Sequence, residues 1–282
     1  MDLSKILIRT MRVGNSDMAG RIIQRAIDLG SNYIDTAPLY RRESDEENSE
    51  TWVGRAVAPE SYRQSVLVST KSAVSDGGLG LGDYQPSVGF GIRTEEQFTA
   101  VLEQSLNRLK LPYVDFYHLW ICHTKQQFDE AFKPGGWYNG LLKARESGRI
   151  KHLGITTHAD ADTIIGFLET GVFETVTLPL NVLNVTRLKA VEYCAEKGIP
   201  VLAMNPLGGG LLAADSRLKE LAFKYLLSLE NVHILVGFTA VDEVDYAWRI
   251  QEEFNRSPTS TEDILKEVRA MIPYDEPHCT GC

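Results

Sequence analysis

Three polar residues, Asp35, Tyr40 and Lys71, stand at the ends of two β-rich runs, in the segments DTAPLY and STK. A buried lysine next to a tyrosine favours the phenolate form, and an aspartate next to that lysine keeps the ammonium charged and oriented. Such a tyrosine can give a proton to a carbonyl oxygen while hydride reaches the carbonyl carbon. Each residue alone is also common as a packing or capping residue. Together they predict acid–base chemistry on a carbonyl or an alcohol.

These residues must be positioned by the elements around them. Short β-rich runs alternate with amphipathic segments, which is typical of βα units around a parallel sheet. A chain of 282 residues with 43% apolar composition can fill one large α/β barrel. We therefore predict a (β/α)8 TIM barrel, in which the strand ends share one catalytic face. The eight predicted strands are ILIRTM from Ile6, NYIDTA from Asn32, SVLVSTK from Ser65, VDFYHLW from Val114, HLGITT from His152, TVTLPLN from Thr175, IPVLAMN from Ile199 and HILVGF from His233.

Two of the intervening helices have recognisable ends. The apolar stripe from Met18 to Leu29 stops at Gly30, and the helix that opens at Thr94 has a capping box of Thr94 and Gln97. A further helix over residues 261–271 is expected to pack outside the barrel. The predicted organisation is therefore a barrel over residues 1–256, followed by a C-terminal helix and tail over residues 257–282.

The charge balance limits the class of partner. The formal net charge is −9, whereas nucleic acids and anionic membranes are bound by clustered lysine and arginine. No apolar run approaches the length of about 18 residues that a membrane span needs, and the first residues lack an apolar signal core. The sequence predicts a cytoplasmic protein that acts on a small molecule, with no nucleic-acid or membrane partner.

Several segments, taken together, resemble the aldo-keto reductase family. The resemblance implies a (β/α)8 barrel in which Asp35, Tyr40 and Lys71 are catalytic and Tyr40 is the general acid or base. It also implies a catalytic histidine at the end of the VDFYHLW strand, where this sequence has Trp120. His118 lies two residues earlier, on the same side of the strand and one layer deeper. The segments are GSNYIDTAPLY, VSTK, LEQSLNRLKLPYVDFYHLW, ESGRIKHLGITTH and AEKGIPVLAMNPLGGGLL.

The same resemblance implies a nicotinamide cofactor, with several contacts altered. Thr156 and Thr157 stand where the family has a Ser-Asn pair, and Thr177 stands where it has a glutamine. Hydroxyls replace some of those hydrogen bonds but not the paired donor and acceptor of an amide. Met204 takes the place of an aromatic residue that stacks on the nicotinamide ring. The threonines predict weaker recognition of the ring, whereas Met204 alone decides little, because methionine also occurs there in the family branch with a C-terminal iron-sulfur segment.

Two further segments are expected to hold the rest of the cofactor. The small residues of PLGGG would let a pyrophosphate approach backbone N–H groups. The segment GFTAVDEVDYA would grip the adenosine end but holds no lysine or arginine, so the choice between NADP and NAD is open. The predicted contacts are Pro206, Leu207, Gly208, Gly210, Gly237 and Thr239.

Cys279 and Cys282 form the segment CTGC, which resembles the start of the cysteine cluster in an iron-sulfur branch of the family. A cubane cluster takes four thiolates, and these are two. The resemblance predicts an incomplete iron-sulfur site.

The sequence leaves three functions open. The first is an oxidoreductase that moves hydride between a nicotinamide cofactor and a small carbonyl or alcohol. The second is a redox-neutral isomerase or lyase that keeps Tyr40 and Lys71 for proton transfer, which Trp120 and the altered cofactor contacts would favour. The third is a non-catalytic binding barrel. Turnover that requires a nicotinamide cofactor separates the first from the second, and the effect of Tyr40→Phe separates both from the third.

Overall fold

A computed structural model of the chain describes residues 2–78 and 80–272. Eight parallel strands follow one another around a closed barrel, because the first strand pairs with both the second and the eighth. The architecture is the (β/α)8 TIM barrel expected from the sequence. The strands are β1 (Ile6–Arg9), β2 (Tyr33–Asp35), β3 (Leu67–Ser72), β4 (Val114–Trp120), β5 (Ile150–Thr156), β6 (Thr175–Pro179), β7 (Val201–Met204) and β8 (Val232–Val236).

The helices cover the outside of the barrel, and the largest apolar core lies between them and the strands. Two 3₁₀ turns, Thr10–Arg12 and Gly208–Ala214, follow β1 and β7. The helices are α1 (Ser16–Asp28), α2 (Ser49–Ala56), α3 (Glu60–Ser65), α4 (Glu95–Leu109), α5 (Lys125–Ala131), α6 (Trp137–Glu146), α7 (Ala161–Leu168), α8 (Leu188–Lys197), α9 (Ser216–Leu227), α10 (Val241–Arg256) and α11 (Thr261–Met271).

The inside of the barrel changes from apolar to polar along the strands. Successive inward positions on a strand lie two residues apart. On β2 these are Tyr33 and then Asp35, and on β4 they are Phe116, His118 and Trp120. Tyr33 and Phe116 belong to the apolar cluster that fills the lower barrel. The polar side chains therefore lie in the upper layers, at the C-terminal ends of the strands.

Some element ends differ from the sequence predictions. β1 stops at Arg9 rather than Met11, because the chain turns into 3₁₀ geometry and Thr10 Oγ1 bonds the carbonyl oxygen of Asp35 and the hydroxyl of Thr36. The Thr94 and Gln97 capping box of α4 is confirmed.

The last described helix, α11, covers the residues that the sequence predicted. It packs against α9 through the buried Ile264 and Val268. Among the residues described, no helix is both long and apolar enough to cross a membrane. Cys279 and Cys282 lie outside the described residues.

Candidate active site

A buried ion pair forms the centre of the polar layer. Asp35 at the end of β2 and Lys71 on β3 are both almost fully buried, and the Lys71 ammonium donates to Asp35 Oδ1. Ser69 Oγ donates to the same carboxylate oxygen at 3.2 Å. Two charges taken out of water are expensive to bury, so each stabilises the other only while both remain. The pair lies beneath Tyr40, which lines the cavity described below.

Tyr40 lies directly above this pair. Its backbone N–H donates to the carbonyl of Ala37 at 3.0 Å, and its own carbonyl accepts from Ser49 at the start of α2. Lys71 Nζ is 4.9 Å from the centre of the Tyr40 ring. The lysine therefore faces the ring, as the combination of the two residues in the sequence suggested.

The Tyr40 hydroxyl is held by a residue that the sequence did not single out. Arg9, at the end of β1, donates to the Tyr40 oxygen from Nη2 at 2.8 Å and from Nε at 3.3 Å. Arg9 Nε also lies 3.7 Å from Asp35 Oδ2. A charge-assisted hydrogen bond of this kind favours a negatively charged acceptor over a neutral one. The Tyr40 oxygen therefore accepts two hydrogen bonds from one guanidinium.

Trp120 occupies the strand end where the resemblance implied a histidine. Its ring meets the edge of Tyr40 at 5.8 Å and packs against Phe90 at 5.2 Å. Phe90 belongs to the long loop after β3, which therefore contributes to the wall of the site. Trp120 fixes the position of the Tyr40 ring but has no group that exchanges a proton.

His118 is buried beneath this layer. One ring nitrogen faces the Tyr33 hydroxyl at 3.0 Å and the other faces Thr156 Oγ1 at 3.1 Å. Burial first, and then the Lys71 ammonium, lower the pKa of His118 to about 3. The imidazole is therefore neutral near pH 7, and both its nitrogens face protein groups rather than the space above Tyr40.

Above Tyr40 lies a cavity of about 430 Å³, called here the tyrosine chamber. Burial lowers the pKa of His123 and lowers that of His158 to about 4, so that both imidazoles are neutral near pH 7. None of the described residues that line the chamber is an aspartate or a glutamate. Its walls are Arg9, Met11, Leu39, Tyr40, Arg41, Gly77, Trp120, Ile121, His123, Thr156, His158 and Met204.

A second cavity of about 290 Å³, called here the dinucleotide groove, lies beyond the ends of β7 and β8. Arg9 lines both cavities, so they meet at this side chain. Arg12 and Lys219 add two cations to the groove, and the Lys219 ammonium lies 4.0 Å from the centre of the Tyr246 ring. The segment after β8 was expected to grip the cofactor but holds no lysine or arginine. The positive charges of the groove come instead from Arg12 in the turn after β1 and from Lys219 on α9.

The glycines beside the groove form a tight left-handed turn. Gly208, Gly209 and Gly210 all have positive φ, which suits glycine. Their N–H groups donate inside the turn, to the backbone and side chain of Asn205 and to the carbonyl of Leu207. These N–H groups are therefore engaged within the turn in this conformation, and pyrophosphate binding by the PLGGG segment stays a prediction.

The residues predicted to bind the cofactor divide into four groups. Thr156 and Met204 line the tyrosine chamber. Thr157 and Thr177 line neither cavity, since Thr157 Oγ1 bonds the Cys122 carbonyl and Thr177 Oγ1 is buried without a hydrogen-bond partner. Gly208 is buried behind the turn. Those that line the groove are Pro206, Leu207, Gly210, Gly237 and Thr239.

These features fit a phosphate-bearing dinucleotide in the groove. A Cβ at Gly237 would lie 3.1 Å from Arg12 Cβ, so the glycine lets Arg12 lie close against the end of β8. Arg9, Arg12 and Lys219 face one acidic residue of the lining, Glu243, which accepts from the Thr239 N–H at 2.7 Å. The groove is therefore positive, as binding of phosphates requires.

Comparison with known proteins supports one family. Residues 6–224 match the sequence model of the "Aldo/keto reductase family". The chain is 26% identical over 215 residues to "Uncharacterized oxidoreductase YqkF" of Bacillus subtilis, a match that covers 75% of this chain and 63% of the relative. It is 23% identical over 301 residues to L-galactose dehydrogenase of Arabidopsis thaliana, covering 91% of this chain and 84% of that one.

A solved structure shows the same fold. The holo form of aldo-keto reductase AKR11C1 from Bacillus halodurans superposes with a TM-score of 0.74. The sequences are 20% identical, and the superposition covers 95% of this chain and 93% of the other. At this identity the likeness is one of fold.

Proposed function

The chain belongs to the aldo/keto reductase family of oxidoreductases, and we propose that it transfers hydride between NADP or NAD and a small carbonyl or alcohol, with Tyr40 as the general acid or base. One observation supports this proposal more strongly than the others do. The Tyr40 hydroxyl faces a cavity beside the buried Lys71 and Asp35 pair, and Arg9 donates to its oxygen. This is the acid that reduction of a carbonyl requires.

The contacts set the direction of proton transfer. Because Arg9 donates to the Tyr40 oxygen, the hydroxyl proton is left to point elsewhere, toward a substrate oxygen in the tyrosine chamber. A bound reduced nicotinamide would supply the hydride. As Tyr40 gives up its proton, the guanidinium of Arg9 and the ammonium of Lys71 stabilise the phenolate. Asp35 accepts a hydrogen bond from the lysine and holds it in place.

His118 and Trp120 take supporting roles in this proposal. His118 is neutral and enclosed between Tyr33 and Thr156, so it fixes the floor of the chamber. Trp120 packs against Tyr40 and shapes the wall. Tyr40 is then the proton donor in reduction, without help from a histidine at this strand end.

The cofactor would lie with its phosphates in the dinucleotide groove, near Arg12 and Lys219, and its nicotinamide toward Met204 and Thr156. NADPH and NADH titrations of the purified protein, followed by nicotinamide fluorescence, test this placement. Micromolar binding and carbonyl-dependent oxidation of the cofactor would support the proposal. No binding of either at millimolar concentration would contradict it.

A redox-neutral isomerase or lyase is the second candidate. It is favoured by Thr157, whose hydroxyl is engaged by the Cys122 carbonyl rather than facing a cavity. Under this alternative, substrate turnover would proceed in a protein freed of nicotinamide cofactor and would still be lost in Tyr40→Phe. A non-catalytic barrel would instead tolerate Tyr40→Phe without any effect beyond stability.

An iron-sulfur site at Cys279 and Cys282 stays a prediction from sequence, as does a cytoplasmic location. The two other cysteines are both buried, Cys122 just after β4 and Cys194 on α8. Iron analysis and visible absorption of anaerobically purified protein, with Cys279→Ser and Cys282→Ser as controls, test the cluster.

A further inference from the structure

The tyrosine chamber is positive although the chain as a whole is strongly negative. Arg9 and Arg41 both line it, and no aspartate or glutamate does so among the described residues of its wall. Asp35, a carboxylate below the chamber, is paired with Lys71 and lies 3.7 Å from Arg9, so one negative charge stands against Lys71, Arg9 and Arg41. In a protein with a formal net charge of −9, this local excess of positive charge favours an anionic ligand.

The excess charge is held next to the reacting group. Arg9 Nη2 is 2.8 Å from the Tyr40 oxygen, the atom that is to protonate the substrate. An anionic substrate group bound to the guanidinium would thus be attached next to the carbonyl whose oxygen meets Tyr40. Because Nε and Nη2 hold the Tyr40 oxygen, a carboxylate would meet the guanidinium on its outer side, whose planar geometry suits two carboxylate oxygens.

We propose that Arg9 binds a carboxylate attached directly to the reacting carbonyl, so that the substrates are 2-oxo acids and the products 2-hydroxy acids. Arg41, at the exposed mouth of the chamber, guides the anion inward. This inference rests on the proposed function. The 2-oxo carbon gains hydride from the reduced nicotinamide, the ketone oxygen gains the Tyr40 proton, and the carboxylate is unchanged.

The test compares matched substrates in matched variants. Phenylglyoxylate and its methyl ester differ in the negative charge but share the reacting ketone. The ratio of their kcat/KM values cancels any effect of a variant on Tyr40 itself. The variants are Arg9→Met, Arg9→Lys and, as a control of equal charge change, Arg269→Met on the exposed face of α11.

The wild-type protein should prefer the acid over the ester. Arg9→Met should lower the acid-to-ester ratio by about 10- to 100-fold, the loss expected for one charge-assisted contact. Arg9→Lys should retain part of the preference, because it keeps the charge but not the forked geometry. Arg269→Met should leave the ratio unchanged. An equal rate for acid and ester, with a ratio insensitive to Arg9→Met, overturns the inference while the reductase function stands.

A binding measurement separates the two proposals. Oxamate resembles a 2-oxo acid but is not reduced, and oxamide is its neutral counterpart. Calorimetry without any cofactor should show oxamate binding that is lost in Arg9→Met, and no oxamide binding. If oxamate binds in this way but no carbonyl is ever reduced, the anion site stands and the proposed function fails. If oxamate binds wild type and Arg9→Met alike, or binds neither, the inference is wrong.

Discussion

Arg9 and Asp35 lie opposite each other on β1 and β2, yet Arg9 makes its hydrogen bonds to Tyr40. Arg9 Nε stays 3.7 Å from Asp35 Oδ2, an oxygen that is buried without a hydrogen-bond partner. The carboxylate instead receives the Lys71 ammonium on its other oxygen. The two cations therefore serve different groups, since Lys71 balances the buried charge and Arg9 holds the hydroxyl.

Replacing Tyr40 with phenylalanine removes the hydroxyl and leaves the ring on Trp120. We expect turnover to fall by about 10²- to 10⁴-fold, the usual contribution of a positioned proton donor. The measurement is cofactor oxidation with a reactive carbonyl. Tyr117→Phe on β4 removes a buried hydroxyl as a control, because Tyr117 packs outward against Phe98 and Trp137. Equal activity of Tyr40→Phe and wild type would exclude Tyr40 as the acid.

Lys71→Met should destabilise the fold strongly because it leaves Asp35 charged and buried. The expected loss in the free energy of unfolding is about 3–5 kcal/mol, measured by urea denaturation. The additional substitution Asp35→Asn should restore part of the lost stability, because the unpaired carboxylate charge is then removed. The exposed pair of Lys125 and Asp129 on α5 provides the control, because Lys125→Met should cost less than about 1 kcal/mol. Similar losses at the two sites would contradict a buried ion pair.

Protonation of His118 should make stability depend on pH. Burial lowers its pKa from 6.5 to about 3 in the folded protein, so the unfolded chain binds this proton more readily. The stability contribution is complete above about pH 6.5 and is lost as the pH falls toward 3, with a slope of about 1.4 kcal/mol per pH unit. Urea denaturation across this range should show a smaller slope in His118→Gln. An identical slope would mean that His118 is already protonated when folded.

The sequence predicted the fold and the Asp35, Tyr40 and Lys71 cluster because both depend on local pattern. β4 and α11 have the predicted bounds, since the β-rich run VDFYHLW defines the one, and the Ser260 cap with the Ile264 and Val268 stripe defines the other.

Arg9 was missed because its role depends on where β1 ends and on its pairing with β2. In the sequence Arg9 is one polar residue inside ILIRTM. If this strand continued to Met11 as predicted, the residues after Arg9 would point in other directions. Its guanidinium reaches Tyr40 only because β1 ends there and lies beside β2. Lys219 was missed for a similar reason, since α9 is remote in sequence from Tyr246, which it contacts. Contacts between distant elements leave no local pattern.

Lys219→Met tests where the cofactor phosphates lie. Loss of one contact between an ammonium and a phosphate should weaken dinucleotide binding by about 10- to 100-fold, measured by fluorescence titration with NADPH and with NADH. If Lys219 meets the 2′-phosphate, NADPH alone should bind more weakly, and the protein should prefer NADP. If it meets the pyrophosphate, both cofactors should weaken equally. Lys266→Met, on the exposed face of α11, should change neither, and unchanged binding in Lys219→Met would remove the groove from the proposed cofactor site.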